Sequence, residues 1–289
     1  MNFDNLPGQI FFKNKFMESN LARTHILSHS LHFASSVFEG IRVYNYIPFY
    51  LKSHLLRLEA SCDLMMIESP FNIEEIYELC IELIKKNNLK NGYLRPIIFK
   101  GTGSMAPESL NCSTNLAIAG WEWQSLFDEK KSIKLLLSKW KKPHESVFPV
   151  KAKSSGSYQI ATLAKNEALL KGYDDALLLD TNNFIAEGTA CNIFWRKKNT
   201  IFTPKTHSIL NGITRKIVIS ILEKKNISLQ VGDFKIGELY DADEVFFTGT
   251  AAEIMNISSI ESCNYASTDI AKFIKKEFDN LKKIGGIEL

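Results

Sequence analysis

The sequence predicts an α+β (mixed α/β) fold divided into two domains. Three observations lead there. Strand-like and helical runs intermingle along the 289 residues without the strict βαβ alternation of a doubly wound sheet. Apolar residues make up 45% of the chain, which at this length is ample for two cores or one large one. A polar, charged stretch at 124–131 is the candidate connection between a small N-terminal domain, 1–123, and a larger C-terminal one, 132–289.

Residues 33–44 read as strand, turn and strand. Ser53 is then the candidate N-cap of a helix through His54, Leu55, Leu56, Arg57 and Leu58. Asn72 with Glu75 has the pattern of a capping box, and Ile76, Leu79, Cys80 and Leu83 mark one apolar face of the helix it opens. Asn91-Gly92 punctuates that unit, after which 93–99 and 116–123 read as strands. Beyond the connection, 133–140 is a strand, 158–170 a helix closed by Gly172, and 176–179 a buried strand. Short strands at 193–195 and 200–203 flank the turn Lys197-Lys198-Asn199. A helix at 213–224 starts after Gly212, 245–248 is a strand, and 268–283 is a C-terminal helix.

Composition narrows the function. A formal net charge of +3 is too small to argue for nucleic acid or a membrane surface as partner. The pairs Lys85-Lys86, Lys224-Lys225, Lys275-Lys276 and Lys282-Lys283 read as solvated charges on helix faces and C-termini. No apolar run is long enough to span a bilayer, and the first residues lack the pattern of a signal peptide. Five scattered cysteines without metal-ligand spacing fit a reducing compartment, so the expectation is a cytoplasmic protein. His25, His29 and His32 do not form a helical zinc pair, and no metal site is expected. Gly101-Thr102-Gly103-Ser104 lacks both the Lys-Ser/Thr ending of a P-loop and the third glycine of a dinucleotide loop. Trp121 and Trp123 alternate as in a strand and read as core or pocket packing rather than base stacking.

Four segments together carry chemistry. Lys153 lies in Val150-Lys151-Ala152-Lys153-Ser154-Ser155-Gly156-Ser157-Tyr158, just ahead of a helix. Glu187 stands in a chain reversal after a buried strand, just before Gly188. Gly212-Ile213-Thr214 opens a helix whose unpaired N–H groups favour an anion, and Gly249-Thr250-Ala251 allows close backbone approach after a strand. An amine, a carboxylate and two phosphate-sized nests are what a pyridoxal-phosphate site needs. The amine must be neutral to attack the cofactor aldehyde, and a carboxylate must keep the pyridine nitrogen protonated. Arg57 is a candidate permanent charge for the phosphate. Taken singly, each feature reads more simply as a surface lysine, a turn glutamate, a helix cap or a helix arginine. Lys151 is a rival nucleophile, since residues two apart on an extended segment share a face.

With these residues the chain resembles the fold type IV pyridoxal-phosphate enzymes, and specifically the branched-chain amino acid aminotransferases. The resemblance runs from about residue 20 to 260. It is carried by His32-Phe33-Ala34-Ser35-Ser36-Val37-Phe38-Glu39-Gly40-Ile41-Arg42, His54-Leu55-Leu56-Arg57-Leu58 and Tyr93-Leu94-Arg95-Pro96. It continues through the Lys153 segment, Glu187-Gly188, Gly212-Ile213-Thr214-Arg215 and Gly249-Thr250-Ala251-Ala252-Glu253-Ile254. It implies a small N-terminal α/β domain, a larger C-terminal pseudo-barrel domain and a homodimer or dimer-based assembly.

The resemblance also implies roles. Lys153, not Lys151, would bond the cofactor and shuttle the proton. Glu187 would pair with the pyridine nitrogen and Tyr158 with the ring hydroxyl. Arg57, Ile213, Thr214 and Thr250 would hold the phosphate. Thr250, Ala251 and Tyr93 would receive the substrate α-carboxylate, while Phe38, Trp123 and Ala252 would line an apolar side-chain pocket. Arg95 would accept the distal carboxylate of glutamate or 2-oxoglutarate. The implied reaction moves the amino group of leucine, isoleucine or valine to 2-oxoglutarate, giving branched 2-oxo acids and L-glutamate.

Three stretches depart from the family pattern: Phe33 stands where tyrosine is usual, 101–107 alters a glycine-rich stretch, and Cys191 replaces an acidic or small polar residue. They bear on the side-chain pocket and its rim. The alternatives are a D-amino acid aminotransferase or an aminodeoxychorismate lyase of the same fold, against which Ser36-Val37-Phe38-Glu39-Gly40-Ile41-Arg42 favours the branched-chain type. A non-catalytic cofactor-binding protein is the remaining alternative, and the intact Lys153 and Glu187 speak against it.

Overall fold

The computed structural model describes residues 3–123, 127 and 132–285. The chain divides into two units. One holds Met1–Gln124, Ala152–Gly156 and Lys282–Leu289; the other holds Ser125–Lys151 and Ser157–Leu281. The connection expected at 124–131 lies outside the described residues, except for Phe127.

In the first unit the chain runs β1 (Gln9–Phe12), β2 (Lys15–Glu18), α1 (His29–Phe33), β3 (Ser36–Phe38), β4 (Ile41–Tyr44), β5 (Ile47–Pro48), α2 (Leu51–Leu64), α3 (Ile73–Lys86), β6 (Asn91–Lys100) and β7 (Thr114–Glu122). The strands form one sheet in the order β2-β1-β7-β6-β4-β5, with β3 also paired to β6. Leu55 and Leu58 of α2 and Cys80 and Leu83 of α3 share a core with Leu94, Ile98 and Ile118 of the sheet. Side chains alternate across a strand, so Tyr93 and Arg95 of β6 take the face opposite Leu94.

Two expectations need correction here. Residues 29–33 are helical, closed by Ala34 in the left-handed region (φ 55°), so only 36–44 makes the strand pair. Helix α2 begins at Leu51 rather than after Ser53, because Tyr50 turns left-handed (φ 54°) and Leu51 already belongs to the buried face. Asn72 and Glu75 do close a reciprocal capping box, with bonds of 2.9 and 2.8 Å.

The second unit contains β8 (Ser132–Lys142), α4 (Tyr158–Leu170), β9 (Asp175–Asp180), β10 (Ile185–Gly188), β11 (Asn192–Lys197), β12 (Thr200–Pro204), α5 (Ile213–Lys224), β13 (Ser228–Gly232), α6 (Gly237–Tyr240), β14 (Glu244–Gly249), β15 (Glu253–Ile260), β16 (Cys263–Asn264) and α7 (Asp269–Lys283), whose last residues group with the first unit. Its sheet runs β10-β9-β8-β15-β14-β11-β12-β13, and a further pairing of β10 with β11 closes six of these strands into a ring. The closing pair in register is Glu187 with Asn192. Parallel neighbours β8 and β9 are joined through α4, and β12 and β13 through α5, while the remaining ring pairs are antiparallel except β8 with β15. The result is a mixed α+β architecture with a barrel-like second sheet. Among the described residues, no helix is long and apolar enough to cross a membrane.

Candidate active site

In the first unit the segment Ala152–Gly156 is pinned through its backbone. Phe38 N–H donates to the Lys153 carbonyl (3.0 Å), and Lys153 N–H donates to Ser61 Oγ (3.0 Å). Ser36 Oγ bonds Ser155 Oγ (2.7 Å). The Lys153 amine then projects over the Phe38 ring, 4.8 Å from its centroid, and the Arg95 guanidinium lies 4.7 Å from the same centroid. Burial, followed by the nearby Arg57 charge, lowers the Lys153 pKa to about 8 against the opposing pull of Glu39. A flat apolar ring with cations around it thus yields an amine that loses its proton near pH 8 rather than above 10. Lys151 sits differently: it is exposed and ion-paired with Glu145 at 2.9 Å.

Arg57 reaches this neighbourhood already engaged. Its Nε and Nη2 donate to the two oxygens of Glu39 at 2.6 and 2.9 Å, and His54 Nδ1 lies 2.7 Å from Glu39 Oε2. Burial alone would raise the Glu39 carboxyl, but Arg57 and His54 outweigh it and hold it well below the usual carboxylate range. Burial likewise lowers the His54 pKa, with Glu39 opposing. The buried carboxylate therefore fixes the guanidinium in orientation.

Tyr93, Trp121 and Trp123 form an aromatic cluster, Tyr93 being 4.9 Å from Trp123 and 5.3 Å from Trp121 between ring centroids. Gly40 makes room for Tyr93: a Cβ at position 40 would lie 1.6 Å from the tyrosine oxygen. Arg95 Nε is buried with no hydrogen-bond partner among the described residues. Phe33 is exposed at the end of α1, its ring 4.6 Å from that of His29.

In the second unit Glu187 lies within β10 and is buried, not in the chain reversal expected for it. Its Oε1 is 2.8 Å from Lys142 Nζ, and its Oε2 accepts from Asn192 Nδ2 (3.1 Å) and the Leu210 N–H (3.3 Å). A carboxylate offers about four acceptor positions, so three donors leave room for one more N–H. Asn192 also donates to the Leu210 carbonyl (2.9 Å), and its Oδ1 would be 2.2 Å from a Cβ on Gly212. Gly212 opens α5 without any side-chain cap. The first N–H groups of that helix, at Ile213 and Thr214, are therefore open to an anion. Arg215 secures the preceding loop by donating to Thr203 Oγ1 (3.3 Å), Asn211 Oδ1 (3.0 Å) and the Pro204 carbonyl (2.9 Å). Its burial lowers its pKa to about 10, opposed by Glu187.

Register extends this row. Asn192 pairs Glu187 on one side and Thr248 on the other, so all three share a face. Thr248 Oγ1 is buried with no hydrogen-bond partner among the described residues. Thr250, Ala251 and Ala252 form the turn between β14 and β15, and Gly249 passes close to Cys191, whose Sγ would be 3.1 Å from a Cβ there. Tyr158 is the first residue of α4 and half-buried. A buried acid with an open acceptor, an uncapped helix start and an orphaned hydroxyl fit a group that carries a protonated ring nitrogen and a phosphate.

Glu39, His54, Lys142, Asn192 and Thr248 were not singled out from sequence. Lys142 stands in Lys139-Trp140-Lys141-Lys142 and reads as one more surface charge. Only strand register reveals the row Glu187, Asn192, Thr248.

Comparison with known proteins agrees with this geometry. Residues 36–260 match the family model of the class IV amino-transferases. A probable branched-chain-amino-acid aminotransferase of Rickettsia felis is 38% identical over 276 residues, covering 94% of this chain and 95% of that protein. The crystal structure of the Escherichia coli branched-chain amino acid aminotransferase superposes with a TM-score of 0.92 at 32% identity, covering 97% and 96% of the two chains. The pyridoxal-phosphate holo-form of the Thermobaculum terrenum branched-chain amino acid aminotransferase gives a TM-score of 0.89 at 28% identity, covering 96% and 94%. The fold is thus that of these fold type IV enzymes, and the chain belongs to the class IV aminotransferase family.

Proposed function

We propose that this protein is a pyridoxal-phosphate-dependent branched-chain-amino-acid transaminase, moving the amino group of leucine, isoleucine or valine to 2-oxoglutarate. The carrying observation is Lys153, a half-buried amine over the Phe38 ring with its pKa lowered to about 8. Support comes from the named activity of the relatives and from the pyridoxal phosphate of the Thermobaculum terrenum structure. When bound, the cofactor supplies an aldehyde to link the amine and an electron sink for the α-carbon.

The chain's own residues do the rest. Lys153 would hold the cofactor's aldehyde carbon and, as a free amine, would carry the substrate α-proton as general base and then acid. Glu187, fixed by Lys142, Asn192 and Leu210, keeps the ring nitrogen protonated. Tyr158 would bond the ring hydroxyl. Arg57 of the first unit and, in the second, the Ile213 and Thr214 amides and Thr250 would serve the phosphate. The Thr250 and Ala251 amides, and Tyr93 of the first unit, would serve the substrate α-carboxylate. Phe38 and Trp123 of the first unit, and Ala252 of the second, would exclude water from an aliphatic side chain. The Arg95 Nε, without a hydrogen-bond partner among the described residues, is suited to a distal carboxylate, so that an apolar and an acidic substrate would be served in turn. A homodimer is part of the proposal, with the exposed Ile26, Leu27, Leu31 and Phe33 as an apolar surface suited to a second copy. Five free thiols support a reducing, cytoplasmic location.

A half-reaction tests this reading. The purified protein loaded with pyridoxal phosphate is mixed separately with L-leucine, L-isoleucine, L-valine, L-glutamate and D-alanine while its visible band is followed. Loss of the band with the branched L-amino acids and L-glutamate, restored by 2-oxoglutarate, is the expected outcome. Response to D-alanine alone would assign the D-enzyme, and response to none would reject transamination.

A further inference from the structure

Outside the proposed site, His144, Glu145 and His207 converge on one point of the second unit. One nitrogen from each ring and a carboxylate oxygen all lie within 4.8 Å of one another. His207 Nδ1 is 3.3 Å from Glu145 Oε1, and the two imidazoles stack with centroids 6.2 Å apart. The backbone holds the ligand-bearing segments together, since the Glu145 N–H donates to the His207 carbonyl at 3.0 Å. Ser146 N–H donates to His144 Nδ1 at 3.2 Å, which marks that nitrogen as the ring's lone-pair atom and is the bond that a cation there would displace. Glu145 and His207 are exposed, so a cation from solvent can reach them.

We propose that these three side chains bind a divalent transition cation of the zinc class. Two imidazoles and one carboxylate are the protein ligand set of zinc sites that keep one position for water. Such borderline nitrogen donors select zinc, nickel or cobalt over magnesium and calcium. Closing the triangle to metal–ligand distances of about 2.0–2.1 Å needs each ligand atom to move inward by less than about 1 Å, within the freedom of exposed side chains. The cation would take the place of the His207–Glu145 contact and staple two loops. One loop runs on to Lys153 within eight residues of Glu145, and the other runs on to Gly212 at the start of α5. Lys151 competes for the site, because its Nζ holds Glu145 Oε2 at 2.9 Å.

The test is calorimetric titration of zinc chloride into the cofactor-loaded protein, with magnesium chloride as control. One equivalent of zinc should bind and magnesium should not. His144→Ala and His207→Ala should each weaken zinc binding by about tenfold or more. Lys151→Ala should tighten it several-fold by freeing the carboxylate, an outcome that does not depend on losing a ligand. Zinc that binds equally well in both histidine variants is held elsewhere, for example at the partly exposed Cys263, and overturns the proposal. Absence of zinc binding, or unchanged affinity in Lys151→Ala, overturns it as well.

Discussion

The chemistry of Lys153 is set by its immediate neighbours. With its pKa lowered to about 8, the amine in the cofactor-free protein is mostly neutral above that value, whereas an unfolded lysine keeps its proton to about 10.4. The rate at which pyridoxal phosphate attaches should therefore rise with pH and level off above about 8, measured by growth of the visible band. Arg57→Met removes a charge that lowers this pKa, and the same profile should move to higher pH. A profile that does not move would show that burial alone sets the value. Lys153→Ala should abolish turnover while leaving the fold intact, which circular dichroism and an amino-acid assay decide together. Gly40 is the second sensitive point. Gly40→Ala places a methyl where the Tyr93 oxygen now sits, so KM for both substrates should rise while cofactor attachment persists. Tyr93→Phe in the same protein should restore part of the loss. The choice between Lys151 and Lys153 was open in the residue spacing, because spacing carries no burial. The collision of Gly40 with Tyr93 was equally out of reach, since 53 positions separate them along the chain.

Elements that contain their own signal were legible in the sequence. Helices α4 and α5 fall where periodicity, Gly172 and Gly212 place them, and α3 opens on the Asn72–Glu75 box. The strand β15 and the hairpin β1–β2 gave no such signal, and β13 was missed because its exposed pattern lacks a buried face. Strand register was illegible for a deeper reason: pairing between distant segments is fixed by the whole sheet. That register is what joins β10, β11 and β14 into one row behind Glu187. Lys142, at the end of β8, supplies its counter-charge at 2.8 Å with both partners about nine-tenths buried. Lys142→Met should leave a buried carboxylate without its cation and lower stability by about 3 kcal/mol, read by urea denaturation. Cofactor affinity should fall in parallel, because the carboxylate is no longer held toward one direction. Stability unchanged in this variant would mean that Asn192 and the Leu210 N–H suffice to hold Glu187.

At the scale of the molecule, acid stability is a balance between carboxyls shifted in opposite directions. Glu39 is held well below the usual range by Arg57 and His54 in spite of burial. It contributes stability that is fully present above the ordinary glutamate range and is lost as pH falls toward its depressed value. Asp175 is shifted the other way: burial raises its pKa, and Lys165 and Thr189 only partly compensate. Its folded form binds a proton more readily than its unfolded form, so protonation there favours folding as pH falls through its raised value. Glu39 has three partners within hydrogen-bond reach, the side chains of His54 and Arg57 and the Gly40 N–H, and no solvent exposure. Its loss should therefore dominate acid unfolding. Glu39→Gln should destabilise the protein by about 3 kcal/mol at neutral pH, because Arg57 and His54 lose a buried counter-charge. The same variant should show a flatter fall in melting temperature as pH drops from the ordinary glutamate range toward the depressed Glu39 value. Asp175→Asn should instead steepen the fall between the raised Asp175 value and the ordinary aspartate range, since the compensating group has been removed. Parallel melting curves for all three proteins across this range would mean that neither carboxyl governs the acid limb, and that the surface charges carry it instead.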